Sequence, residues 1–121
     1  MPGRPFEATL RNQPGSVVID LAGDIDASAE QKLDATCTAA EATNPTAILL
    51  NFLSVDYINS TGIALIVRLL TRSRQANRRL IAFGLSAHYA DLFSITRLSD
   101  YIPIFPDESS ALASSTATVQ I

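Results

Sequence analysis

An apolar run at residues 46–52, TAILLNF, constrains the fold more than any other feature of this chain. Successive side chains of a strand point to opposite faces of a sheet, so a strand that is apolar along its length must be covered on both faces. Asn44 and Pro45 precede the run and end any helix that comes before it. The run therefore predicts a central strand in a sheet that carries helices.

The segments on either side of this strand predict the other elements. Residues 6–12 and 16–21 carry alternating or β-branched apolar side chains around a Pro-Gly turn signal, which predicts a β-hairpin. Apolar side chains recur at helical spacing in residues 28–43, where Ser28 and Gln31 predict a capping box. Further helices are predicted at 60–77, from 86 onward and at 107–113, and further strands at 80–83 and 101–105. This alternation predicts an α/β sandwich, with a mixed sheet of about five strands and helices packed on it.

Length and composition predict a single domain over residues 1–121, with a core at about 6–113 and a flexible tail at 114–121. The chain is 47% hydrophobic, but it has no run long enough to span a membrane and no secretory signal at residues 1–5. We therefore expect a cytoplasmic protein. Its net charge of −3 gives no general attraction to nucleic acid or to an anionic membrane.

The chain lacks the residues that common catalytic and metal sites require. Its one histidine, His88, is predicted on a different helix from Ser60, so no serine-histidine-acid triad is expected. One histidine and one cysteine do not make a common zinc site, and Cys37 among alanines suits a small buried side chain. The glycines form no phosphate loop. We expect no enzymatic activity, no metal and no cofactor.

Two adjacent hydroxyls, Ser60 and Thr61, stand where the buried strand gives way to a helix. A hydroxyl at a helix start caps a free backbone N–H group, a role worth about 1 kcal/mol. The same N–H groups and the helix dipole would also stabilise a phosphate there. The local sequence favours a simple cap and leaves a phosphorylation switch as the alternative.

The helix that follows Ser60 has two contrasting faces at about 100° per residue. The face assigned to the core holds Ile63, Ile66, Val67 and Leu70. The opposite face holds Thr61, Leu65, Arg68, Arg72 and Gln75. Arginine mixed with leucine beside an exposed serine is typical of a protein-binding surface, and an ordinary solvated helix is the alternative.

Three segments together resemble the STAS domain, the fold shared by bacterial anti-sigma factor antagonists and the cytoplasmic tails of sulfate transporters. Residues 23–26, Gly-Asp-Ile-Asp, resemble the glycine-acid-apolar-acid motif that follows the second strand of the family. Residues 58–63, Ile-Asn-Ser-Thr-Gly-Ile, resemble its central motif of an acid, two hydroxyls and a glycine. The third, weaker signature is matched by Ser86, Leu92, Phe93 and Leu98. The resemblance covers about residues 15–112.

This resemblance implies an anti-sigma factor antagonist that works by partner switching and so regulates sigma-factor-dependent transcription. The first hydroxyl after the acid is phosphorylated in the family by an anti-sigma factor that is itself a serine kinase, and a phosphatase reverses this. That residue is Ser60 here, with Thr61 as the second choice. The expected partner-binding residues are Asp24, Asp26, Asn59, Thr61, Gly62, Leu65, Arg68 and Arg72.

One position departs from the family motif. Asn59 stands where the family has an acid, and it keeps the capping capacity of aspartate without the charge. This departure keeps a second function open, a constitutive STAS scaffold in a stress-signalling or lipid-transport assembly without a phosphorylation switch. A small-molecule sensor ranks third and an enzyme last. A short edge strand and the hairpin leave room for a homodimer.

Overall fold

The computed structural model describes residues 4–116, which form a five-stranded sheet with helices on both faces. The strands are β1 (Glu7–Gln13), β2 (Ser16–Ile25), β3 (Ala47–Ile58), β4 (Arg79–Phe83) and β5 (Ile104–Phe105), in that spatial order. The helices are α1 (Glu30–Glu41), α2 (Ser60–Gln75), α3 (Ala87–Ile95) and α4 (Glu108–Thr116). Short 3-10 turns occupy Ala27–Ala29 and Leu98–Asp100. The predicted α/β sandwich with a mixed sheet is confirmed.

The predicted central strand is β3, which lies parallel to β2 on one side and to β4 on the other. Ile48, Leu50 and Phe52 pack into the larger core with α1, α2 and α3. Leu49 points to the opposite face, where a smaller core includes Ala111 of α4. Both faces of the strand are covered, as its apolar run requires.

Strand β3 is longer than the apolar run that predicted it. It continues to Ile58 because the end of β2 keeps pairing with it, Asp24 opposite Tyr57 and Ile25 opposite Ile58. The polar residues Ser54 and Asp56 interrupt the apolar pattern, so the pattern does not predict this extension. The extension is a strand because it pairs with β2. The extension carries the chain to the start of α2.

The hairpin, the third helix and the final helix lie where the sequence predicts them, with differences at their ends. The capping box at Ser28 was a wrong prediction. Asp26 instead caps the turn at Ala27–Ala29, and α1 begins at Glu30 without a side-chain cap. Asp107 caps α4 by accepting the N–H group of Ser110, and α4 runs on to residue 116. The rest of the predicted flexible tail, residues 117–121, lies outside the described residues.

Helix α2 is rotated relative to the prediction. Leu65, assigned to the exposed face, is buried with 6% of its surface accessible, whereas Val67, assigned to the core, is 40% exposed. Apolar residues at 63, 65, 66, 67, 69 and 70 make a broad stripe, so periodicity alone does not choose between the neighbouring orientations. The ion pairs of Arg68 and Arg72 with acids of α1 fix the orientation of α2.

A partly buried arginine joins α4 to the sheet. The Arg11 guanidinium donates to both carboxylate oxygens of Asp20, at 2.6 and 2.9 Å, and to both of Glu108, at 3.0 and 2.8 Å. Asp20 also accepts a hydrogen bond from Asn51 at 2.8 Å. The hydrogen bonds from Arg11 lower the pKa of Asp20 below its usual value, against the opposing effect of burial. The ionised form of Asp20 therefore stabilises the fold.

We expect Asp20→Asn to lower the free energy of unfolding by about 1–2 kcal/mol at pH 7, because a charged hydrogen-bond acceptor is lost. The pKa of Asp20 is lowered in the folded protein, so its contribution is complete above the ordinary aspartate pKa of 3.8 and is lost as the pH falls through the folded-state pKa. Urea unfolding at pH 7 and at successively lower pH measures the difference between the two proteins. Asp91→Asn, at an exposed acid without an ion pair in the described chain, is the matched control. A difference that stays constant down to pH 2 would contradict this account.

Candidate functional site

The candidate site lies at the carboxyl ends of the two parallel strands β2 and β3. Their last paired residues are Ile25 and Ile58, and the N–H group of Asn59 donates to the Ile25 carbonyl at 3.3 Å. Asp26 follows Ile25 and Ser60 follows Asn59, so the register brings these two residues to the same edge of the sheet. Two segments that are separated by more than thirty residues in the sequence meet here.

Asn59 is the N-cap of α2. Its backbone is extended, and its side-chain Oδ1 accepts a hydrogen bond from the N–H group of Gly62 at 2.9 Å. The simple capping role that the local sequence favours for Ser60 and Thr61 is therefore wrong, since both belong to the first turn of the helix. Both are exposed, and within residues 4–116 neither hydroxyl makes a hydrogen bond. Asn59 caps the helix and leaves the two hydroxyls free.

Gly62 allows the first turn of α2 to lie directly on the end of β2. A Cβ atom at this position would collide with the backbone carbonyl of Ile25 and touch the side chain of Ile58. The carbonyl belongs to a paired strand and cannot move aside cheaply. The glycine of the motif therefore fixes the distance between the helix start and the strand ends.

The acidic residues of this edge are not neutralised by nearby cations. Asp26 accepts hydrogen bonds from the N–H group and hydroxyl of Ser28, and Asp24 is half-buried. Neither carboxylate forms an ion pair with any Lys or Arg of the described chain, whereas Asp56 pairs with Arg4 at 3.0 Å. The free hydroxyls of α2 thus stand beside a negatively charged edge.

Tyr89 contributes to the site, and the sequence analysis did not identify it as a site residue. Its hydroxyl oxygen accepts a hydrogen bond from the N–H group of Ile58 at 2.9 Å, just before the Asn59 cap. Ser86 caps α3 by accepting the N–H group of Tyr89, and the ring of His88 lies edge-on to the Tyr89 ring. Only the fold shows that the hydroxyl of Tyr89 ends on β3.

The residues predicted to form a binding surface on α2 have different roles in the structure. Arg68 donates to Glu30 at 2.8 Å and Arg72 to Glu41 at 2.6 Å, and both also reach Asp34 of α1 at 3.4 Å. These arginines hold α2 against α1, and Leu65 lies in the core beneath. On the exposed side of α2, Ala64 and Val67 follow Ser60 at helical spacing, and Val67 is 40% exposed.

Other kinds of site find little support in residues 4–116. No helix in this range is both long enough and apolar enough to cross a membrane, and no three of its His, Cys, Asp and Glu side chains cluster to hold a metal. Cys37 is buried, and burial raises the pKa of its thiol to about 12. It remains protonated at neutral pH and is a small core residue, as the sequence predicts.

Fold and site together describe an α/β domain that presents two exposed hydroxyls at a strand-helix junction. The family model for the STAS domain matches residues 7–111. An anti-sigma-B factor antagonist of Listeria monocytogenes is 34% identical over 86 residues, which is 71% of this chain and 75% of that protein. A putative anti-sigma factor antagonist of Bordetella bronchiseptica, BtrV, is 25% identical over 112 residues, 93% of this chain and 94% of the relative.

Solved structures agree on the fold. The anti-sigma factor antagonist SpoIIAA in its unphosphorylated form aligns with a TM-score of 0.75 and 22% identity, over 94% of this chain and 100% of the other. SpoIIAA from Bacillus in the phosphorylated form aligns with a TM-score of 0.69 over 89% of this chain and 98% of the other. The chain belongs to the STAS domain family, among the anti-sigma factor antagonists, which are regulatory binding proteins.

We expect Asn59→Ala to lower the free energy of unfolding by about 1 kcal/mol, because the Gly62 N–H group loses its cap. Asn59→Asp restores the family acid and retains the cap, so its stability should stay within about 0.5 kcal/mol of the wild type. Urea unfolding at pH 7 measures both variants. An aspartate variant as unstable as the alanine variant would show that the amide has a role beyond capping.

We expect Gly62→Ala to lower the free energy of unfolding by about 1–3 kcal/mol, because the added methyl group forces α2 away from the Ile25 carbonyl. Ala64→Gly, at an exposed position two residues further along the same helix, is a control for the change in helix propensity. Thermal unfolding and amide chemical shifts of residues 24–27 report the displacement. Unchanged shifts in this segment would show that the close approach is not the constraint.

Proposed function

We propose that this protein binds an anti-sigma factor with serine kinase activity and is released from it by phosphorylation of Ser60. The observation that supports the proposal is the free, exposed hydroxyl of Ser60 in the first turn of α2. Because Asn59 already caps the helix, modification of Ser60 removes no hydrogen bond that the fold uses. A kinase can therefore reach and modify this hydroxyl without opening the domain.

Phosphorylation would change the charge of the site and leave the backbone in place. The kinase transfers the γ-phosphoryl group of ATP to Ser60 Oγ, releases ADP and a proton, and thereby adds about −1.5 to −2 charge. The N-terminal end of the helix dipole tolerates a phosphate. Asp24 and Asp26 already make this edge negative, and the proposed partner surface fits closely around the small Ser60 hydroxyl. A bulky dianion inside that interface costs contacts and weakens the complex.

The proposed contact surface is centred on Ser60 and Thr61. It includes Asp24, Asp26 and the exposed side of α2 at Ala64 and Val67. Asn59 and Gly62 act indirectly, since they set the position of the helix start. Arg68 and Arg72, whose guanidinium groups pair with acids of α1, lie at the border of this surface. Leu65 packs in the core beneath it.

The remaining features of this proposal follow from the family. ATP belongs to the kinase, so this chain needs no cofactor and performs no catalysis. A phosphatase returns Ser60 to its binding form, and Thr61 is the second-choice acceptor. Sigma factors act in the cytoplasm, which is where the exchange of partners takes place. The two edge strands of the sheet, β1 of the hairpin and the short β5, leave room for a homodimer.

A constitutive scaffold without phosphorylation is the second candidate function. Asn59 favours it, since this position lacks the acid of the family motif. The structure shows the amide capping Gly62, a task that a carboxylate performs equally well. The two functions therefore differ in kinase recognition and share the same architecture.

We expect phosphate on Ser60 after incubation with ATP and the cognate anti-sigma kinase, identified by mass spectrometry against each candidate from the same genome. Ser60→Ala should abolish the modification, and Thr61→Ala should leave it intact. Ser60→Asp should weaken binding of the kinase about tenfold or more with unchanged far-ultraviolet circular dichroism, because a charge enters the interface. Ser94→Asp places the same charge on the exposed side of α3 and should bind normally.

Two results would contradict the switch. A Ser60→Asp variant that loses its helical circular dichroism would show that the hydroxyl is structural. Absence of modification by every candidate kinase, together with stable binding of a partner that is not a kinase, would assign the protein to the constitutive scaffold.

A further inference from the structure

The cationic side chains divide into two groups. All nine Lys and Arg residues and all twelve Asp and Glu residues of the sequence lie within the described part of the chain. Six of the cations form ion pairs with carboxylates: Arg4, Arg11, Lys32, Arg68, Arg72 and Arg97. The other three, Arg74, Arg78 and Arg79, pair with no carboxylate of these residues, and they lie within six positions of one another. The unneutralised positive charge is therefore concentrated in one place.

The C-terminal end of α2 brings these three arginines together. Asn77 adopts a left-handed conformation with φ of 58°, and the N–H group of Arg78 donates back to the carbonyl of Ser73 at 2.8 Å. This pattern of a left-handed residue after the helix cap reverses the chain sharply. Arg78 and Arg79 are thereby returned to the side of the last helical turn, where Arg74 lies.

Neutral groups hold the three guanidinium groups in place. Arg78 donates to the carbonyl of Pro45 at 2.9 Å and to the side chain of Asn44 at 3.1 Å. Arg79 donates to the carbonyl and the hydroxyl of Ser114 at 2.6 and 3.1 Å, and Arg74 lies 5.2 Å from the centre of the Tyr101 ring.

These partners orient the guanidinium groups without cancelling their charge. Each guanidinium has five N–H donors, so donors remain on all three side chains. The C-terminal end of the α2 dipole offsets only about half a charge.

The same three arginines and Asn77 line one open cleft of about 370 Å³. This volume is in the range of small-molecule sites, and guanidinium groups match the oxygens of phosphate in pairs. Arg74 covers one face of the Tyr101 ring, and none of the described residues that line the cleft is aromatic, so the cleft itself offers no ring on which a nucleobase could stack. The overall charge of −3 opposes the approach of a long polyanion or an anionic membrane.

We propose that the cleft formed by Arg74, Asn77, Arg78 and Arg79 binds a small anion that carries two or more phosphate groups. A bound anion would connect three parts of the fold, because Arg78 is anchored to the α1–β3 loop and Arg79 to α4. The cleft lies at the opposite end of α2 from Ser60, about 24 Å away along a helix of 16 residues. The anion and a partner at Ser60 can therefore bind together.

The test is calorimetric titration of the full chain with pyrophosphate at constant ionic strength of about 150 mM, where weak surface attraction is screened. We expect saturable binding of one pyrophosphate per chain, weaker binding of orthophosphate, and an increase in melting temperature with pyrophosphate concentration. Arg74→Gln, which disturbs no backbone anchor, and Arg78→Gln should each weaken binding about tenfold or more. Arg78→Lys should lie between these and the wild type, because it keeps the charge but loses the paired donors.

Arg97→Gln is the matched control, because it removes one positive charge from an exposed arginine that pairs with Asp100 outside the cleft. It should change binding less than twofold. An equal loss in this variant, or no saturable binding of pyrophosphate to the wild type, would overturn the proposal. Binding to vesicles of phosphatidylcholine and phosphatidylserine that is lost with Arg74→Gln would overturn it as well, since it would assign the cleft to a membrane surface.

Discussion

The close approach of Gly62 to the Ile25 carbonyl is the constraint on which the site depends. It seats the first turn of α2 on the carboxyl ends of two paired strands, and Asn59 closes that turn by binding the Gly62 N–H group. A larger residue would separate helix and strands, and a residue without a side-chain acceptor would leave the helix end open. The exposed position of Ser60 follows from both, since the hydroxyl is left with no structural task.

Ion pairing within the chain leaves charge at the two ends of α2. Arg68 and Arg72 form ion pairs with α1, and Arg11 forms one with α4, so the charges of these residues stabilise the fold. At the two ends of α2, the side chains left without an ion pair are the carboxylates of Asp24 and Asp26 near Ser60 and a group of arginines after the last turn. Because α2 separates the two, each end has its own electrostatic character. We propose a protein partner for one end and a small anion for the other.

The order of elements was predictable from the sequence because it depends on local signals. The apolar run gave the central strand, the Pro-Gly pair gave the hairpin, and Asp107 and Ser86 marked helix starts that the structure contains. The site motif was predictable in the same way, since its residues are consecutive. Local signals failed at the start of α1 and in the rotation of α2. Both depend on contacts with residues distant in the sequence.

By itself, the sequence determined that two hydroxyls follow a buried strand and open a helix, because hydrophobic periodicity and turn residues act over a few neighbours. Only the tertiary structure decided which residue caps that helix, which side of it faces solvent, and which cations stay unpaired. The assignment of Leu65 to the core and of Tyr89 to the end of β3 belongs to this second group. The physical reason is that burial and ion pairing are properties of packed surfaces, and these surfaces form only when distant segments meet.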